Sequence, residues 1–118
     1  MVGTAADVLR LLEAIRTSQL LRHDTWQAAI SNQIGTLPRG EGDAGQRFGF
    51  LSAIVADPQA AATPQSAGTL NWGGVYGNDW FIDIARGLSV VSLSNTGLEG
   101  CNGQFPKDTR DALYADLG

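Results

Sequence analysis

Residues 69–95 constrain the fold more than any other part of this chain. Three runs rich in β-branched and aromatic side chains, 69–76, 79–85 and 88–95, follow one another closely. Gly77-Asn78 separates the first pair and Ala85-Arg86-Gly87 the second. Connections this short suit hairpins, and their residues tolerate positive φ. Strands joined in this way form an antiparallel meander. The runs "WFIDIA" and "LSVVSLSN" are apolar on both sides, whereas a sheet covered on one face alternates more cleanly. Helices on both faces, or a missing layer, are therefore expected.

The flanking segments supply them. In "TAADVLRLLEAIR", Thr4 and Asp7 form a capping box, and Val8, Leu11, Leu12 and Ile15 recur at helical spacing, which predicts a helix over 5–17. In "HDTWQAAISNQIG", Asp24 is the expected N-cap and Gly35 the stop, with Trp26, Ile30 and Ile34 turned inward. Residues 105–117 read as a closing helix with Pro106 in its first turn. Residues 47–57 read as one further, half-buried strand, and 58–68 as a connecting loop. The predicted fold is α+β: a three-strand meander plus a short strand, packed between N-terminal and C-terminal helices. A chain of 118 residues fits a single domain over 1–118.

Composition removes several function classes. Net charge is −4, and Lys107 is the one lysine among scattered arginines. Nothing gathers positive charge, so no nucleic-acid or membrane partner is expected. No apolar run approaches the roughly 20 residues of a membrane span. The start of the chain lacks the basic residues and apolar stretch of a signal peptide, which points to a cytoplasmic location. Cys101 and His23 each stand alone, so no disulfide, metal or cofactor is expected.

Motifs of known chemistry are scarce. Gly40-Glu41-Gly42-Asp43-Ala44-Gly45 spells G-x-G-x-x-G, but a loop precedes it and a strand-like run follows it, the reverse of a dinucleotide site. It reads as a flexible surface loop. A serine nucleophile of the S-x-x-K kind needs a lysine one helical turn on, and position 104 before Lys107 is Gln. His23 has no paired nucleophile, and Cys101 reads as a loop residue with no nearby histidine. Asp79 and Asp83 share one strand as a candidate carboxylate pair, although turn and edge positions explain them equally.

The stretch "NWGGVYGNDWF" (71–81) stands apart. Glycine weakens a strand, and its usual reasons there are a bulge or close approach to the backbone. By alternation Trp72 and Tyr76 flank Gly74, which makes either a shallow slot floored by backbone or an edge strand with aromatics packed under a helix.

The runs "MVGTAADVLRLLEAI", "GTLNWGGVYGNDWFIDIARGLSVVSLSNT" and "FPKDTRDALYADL" resemble the C-terminal part of the serine β-lactamase-like family. That family holds class C β-lactamases, family VIII carboxylesterases and penicillin-binding proteins. Its third active-site box, K-T-G in β-lactamases, takes a W-G-G form in the esterase branch, which Trp72-Gly73-Gly74 matches. The resemblance implies a partial β-lactamase/transpeptidase-like fold, an oxyanion donor at the Val75 N–H, and substrate contacts from Trp72, Gly73, Gly74 and Tyr76. Trp72 in place of Lys implies an ester-like substrate. Tyr76-Gly77-Asn78 spells the family's second box by coincidence, since it follows the third-box strand. In the family the strand matching Leu88–Asn95 also pairs with an N-terminal strand.

The expected function is thus the C-terminal segment of a β-lactamase-like serine hydrolase, without its nucleophile and inactive alone. The implied partner is a complementing N-terminal polypeptide, or a second copy bound through residues 88–95. The rivals are a catalytically silent interaction module and an inactive truncation product.

Overall fold

In the computed structural model, which describes residues 2–118, the first helix is α1, Ala5–Arg16. Its capping box is formed: the Asp7 N–H donates to Thr4 Oγ1 at 3.2 Å, and the Thr4 N–H donates to the Asp7 carboxylate at 3.4 Å. Arg16 closes it on Glu13 with an N–O distance of 2.7 Å. The second helix, α2, covers only His23–Ile30. Arg22, not Asp24, is its N-cap, and it stops well short of Gly35. The reason is local. Asn32 accepts the Ile34 N–H at 3.0 Å and donates to the Gly35 carbonyl at 2.8 Å, offering the backbone an alternative to another helical turn.

The segment read as one strand over 47–57 is a hairpin of two: β1, Gln46–Phe48, and β2, Ala53–Val55. Gly49 lies at the reversal. A Cβ there would stand 2.8 Å from the Ala29 carbonyl and 2.9 Å from Ile54 Cδ1, so only glycine lets the chain turn beneath the end of α2. The meander follows, with β3 at Leu70–Gly74, β4 at Asn78–Asp83 and β5 at Leu88–Leu93; β3 stops two residues earlier than expected, and the first turn is Val75–Gly77, with Asn78 already in β4. The five strands lie in chain order, antiparallel throughout.

Register assigns the two faces. Leu70 opposes Ile82, and Ile54 opposes Leu70. These three bury against Leu12 of α1, with Val8, Ile15, Ile30, Trp80 and Val91 around them. The other face carries Phe81 and Asp83, and two helices lie over it: α3, Leu98–Asn102, and α4, Gln104–Leu117. Helices on both faces match the apolar character of β4 and β5. The short α3 falls where a loop was expected. Glu99 of α3 accepts the Phe105 N–H at 2.8 Å, serving a donor that α4 leaves free at its start. Pro106 occupies the first turn of α4, as its missing N–H favours.

Besides the outer edge of the three-residue β1, two strand edges remain open. Only Leu70 and Asn71 of β3 pair with β2, so Trp72, Gly73 and Gly74 have β4 on one side and no strand on the other. No further strand lies beyond β5 among the described residues.

Candidate functional site

The open half of β3 is the W-G-G stretch. Beyond it, residues 75–77 form a turn closed by the Gly77 N–H on the Gly74 carbonyl at 2.9 Å. Val75 is the first of those three residues, directly after Gly74, and is 63% exposed. Its N–H has no backbone partner within the described residues. A free, exposed donor at the end of an unpaired strand edge can receive an oxyanion from a bound molecule.

Trp72 is 43% exposed and held from the side. Its ring lies 5.6 Å from that of Phe48, and the Arg39 guanidinium stands over both, 5.2 Å from Phe48 and 5.4 Å from Trp72. The slot expected between Trp72 and Tyr76 is not formed. The strand ends at Gly74, so period-two alternation stops before Tyr76, which sits on the turn and is 88% exposed. The two aromatics therefore do not face each other across Gly74.

The glycines have neighbours within the chain. A Cβ on Gly73 would lie 2.9 Å from Cys101 Sγ and 3.2 Å from the carbonyls of Asn78 and Cys101, so this glycine lets α3 press onto the strand. A Cβ on Gly74 would collide with the Asn78 side chain. Cys101 belongs to α3, not to a loop, and is half-buried.

A cleft of about 670 Å³ opens on this side of the sheet, bounded by Arg39, Trp72, Gly73, Asp79, Cys101 and Arg110. Asp79 pairs with Gly73 in register. Burial pushes its carboxyl up to about 6, against the pull of Arg110 and a backbone N–H. Asp83 lies on the same face but does a different job. It is fully buried and accepts the Tyr114 hydroxyl at 2.6 Å and the N–H groups of Ser66 and Arg86 at 3.0 and 3.1 Å. Burial raises its pKa, but these donors outweigh burial and hold it below the usual carboxylate value. The two aspartates are thus not a catalytic pair: one is a latch for α4 and the other faces the cleft. His23 is exposed and stacks on Trp26 at 5.6 Å, remote from this chemistry.

Sequence reasoning missed Arg39 and Arg110. Neither belongs to a motif, and nothing in the spacing brings residue 39 or 110 to the W-G-G strand. Asp79 was singled out in the sequence with Asp83 as its partner, whereas the structure sets it opposite Gly73 instead. No His/Cys/Asp/Glu group able to hold a metal occurs among the described residues, and no helix among them is long and apolar enough to cross a membrane.

No family model matches the chain. The esterase EstB of Burkholderia gladioli is 52% identical to it over 116 residues, 98% of this chain and 29% of the relative. The solved structure of EstCE1, described as a hydrolase with promiscuous acyltransferase activity, superposes with a TM-score of 0.84 at 43% identity. That match covers 95% of this chain and 30% of EstCE1. The chain therefore spans about 30% of the length of the proteins it matches.

Proposed function

The chain belongs with the C-terminal part of the β-lactamase-like esterases, and from that premise we propose that it supplies the third active-site box and half of the oxyanion hole of a serine ester hydrolase. The nucleophile, on a segment carrying S-x-x-K, lies outside these 118 residues. The observation that carries this reading is the W-G-G strand with its open edge and the unpartnered N–H of Val75 at its end. In the reaction, a serine oxygen attacks the ester carbonyl and the carbonyl oxygen gains charge. The Val75 N–H donates to that oxygen more strongly in the transition state than in the ground state, which lowers the barrier. Trp72 walls the space beside the acyl group. The complementing polypeptide adds its strand at β5, whose outer edge is open.

A catalytically silent interaction module is the second reading. It is favoured by the two glycines, since Cys101 and Asn78 account for both without a substrate.

A chimera separates the two. EstB is rebuilt with this chain in place of its matching segment, and hydrolysis of p-nitrophenyl acetate is followed. The hydrolase reading expects turnover in the chimera and none from the chain alone. Val75→Pro then removes the N–H at a turn position that proline suits, and is expected to lower kcat about 100-fold or more. A folded but inactive chimera, or a Val75→Pro variant with full activity, would decide for the silent module.

A further inference from the structure

The polar loop before β1 is not the loose surface segment its composition predicts. The Asp43 N–H donates to the Gly40 carbonyl at 3.3 Å, and the Gln46 N–H donates to the Asp43 carbonyl at 3.1 Å. The Gly45 carbonyl accepts from Ala56 at 2.8 Å and Asp57 at 3.0 Å. At its other end, Arg39 leans on Phe48 and Trp72 together and lies 3.8 Å from the Asp43 carboxylate. Only 23% of the Arg39 side chain is exposed. A planar guanidinium over two rings uses both stacking and cation–π attraction, which a lysine ammonium cannot reproduce in full.

This contact bears on Trp72 because of where Trp72 sits. Trp80 of β4 opposes this indole in register, but no strand lies on its other side to fix its rotamer there. The rings that could move over the open backbone of Gly73 and Gly74 are those of Trp72, and Arg39 and Phe48 hold them to the side. We propose that Arg39 is a positioning residue. It clamps the Trp72 indole and so sets the width of the acyl pocket along the open edge of β3, selecting how large an acyl group can lie there. The specificity half of this inference rests on the hydrolase reading above. The clamp itself does not.

Two measurements test the two halves. The first uses the purified chain labelled with 5-fluorotryptophan, with the Trp72 resonance assigned by Trp72→Phe. Fluorine shifts are compared in H₂O and D₂O. Arg39→Ala is expected to raise the solvent-isotope shift of Trp72 toward that of the free amino acid while Trp26 and Trp80 stay unchanged. Arg39→Lys is expected to fall between, and Arg39→Met, which keeps the aliphatic stem, to behave like Ala. Met and Lys also decide the matter if the Ala variant does not fold. An unchanged Trp72 shift in a folded variant would overturn the clamp.

The second uses the EstB chimera with p-nitrophenyl acetate and butyrate. Arg39→Ala is expected to raise KM for butyrate about fivefold, with kcat and the acetate KM within about twofold. A kcat loss shared by both esters, or no KM change at all, would overturn the specificity role. An inactive parent chimera defeats the hydrolase reading and leaves the fluorine result to judge the clamp.

Discussion

Two adjacent glycines show how the same residue type serves different neighbours. Gly73 faces α3, where a Cβ would press on Cys101 Sγ and on two carbonyls. Gly74 faces the side chain of Asn78, which is exposed and can swing away. Gly73→Ala is therefore expected to cost about 1–3 kcal/mol by overpacking, and Gly74→Ala less. Cys101→Ala removes the sulfur that Gly73→Ala meets, so the double variant should be more stable than the sum of the single losses predicts. Urea midpoints of the four proteins measure this directly. Strict additivity would mean that α3 does not press on the strand as described. The sites differ in function too: Gly74 borders the proposed oxyanion donor, whereas the constraint on Gly73 comes from within the fold.

At the scale of elements, α4 is tied to the sheet by one buried polar contact as well as by apolar area. Tyr114 stacks on Phe81 with ring centroids 6.1 Å apart and donates its hydroxyl to Asp83. Burial and the Asp83 charge both push the Tyr114 pKa upward, so the hydroxyl keeps its proton at any ordinary pH. Tyr114→Phe leaves the ring in place and removes one of the three donors to a buried carboxylate, which is expected to cost about 1–3 kcal/mol. The pH dependence follows from the depressed Asp83 pKa. A carboxylate whose folded pKa lies below its unfolded value of about 3.9 stabilises the fold above that value, and the gain is lost as pH falls through the folded pKa. The gap between wild type and Tyr114→Phe should therefore be largest near neutrality and shrink in strong acid. Denaturation at about pH 7 and about pH 3 checks it; a gap independent of pH would show that the hydroxyl acts through packing alone. Glu13 behaves similarly at the other face. Arg16, which donates to both carboxylate oxygens, pulls its carboxyl down to about 2.

For the whole molecule, the outer edge of β5 is the open question of assembly. Leu88–Leu93 pairs with β4 on one side only. The strand carries no Lys or Pro, the residues that commonly guard an exposed edge against a further strand. Its matched relatives are more than three times as long as the segment shared with this chain. Our proposal that a complementing polypeptide docks here makes a definite expectation for the chain on its own. Light scattering should give a mass above that of the monomer, and Val90→Lys should return it to monomeric. A wild-type monomer at high concentration, with the amides of 88–95 protected from exchange by contacts inside one chain, would remove this edge as the docking site.

The three strands of the meander, the capped first helix and the closing helix were legible in the sequence, but the first turn falls on residues 75–77 and not on Gly77-Asn78. Each depends on signals within a few residues of one another: β-branched and aromatic runs, Thr4 with Asp7, and Pro106. The W-G-G stretch stood out by its glycines and aromatics, but its proposed role came from the family resemblance and not from local pattern. Contacts between distant segments were not. The split of 47–57 into a hairpin depends on Gly49 meeting the end of α2, and the early stop of α2 on Asn32 outcompeting the next turn. Tyr76 was misplaced because alternation holds only while the strand lasts. Arg39 reached Trp72, and Tyr114 reached Asp83, across 33 and 31 positions of sequence. Local pattern decides which elements form. Which side chains meet across them is decided by the packing of the elements, and that exists only in the tertiary structure.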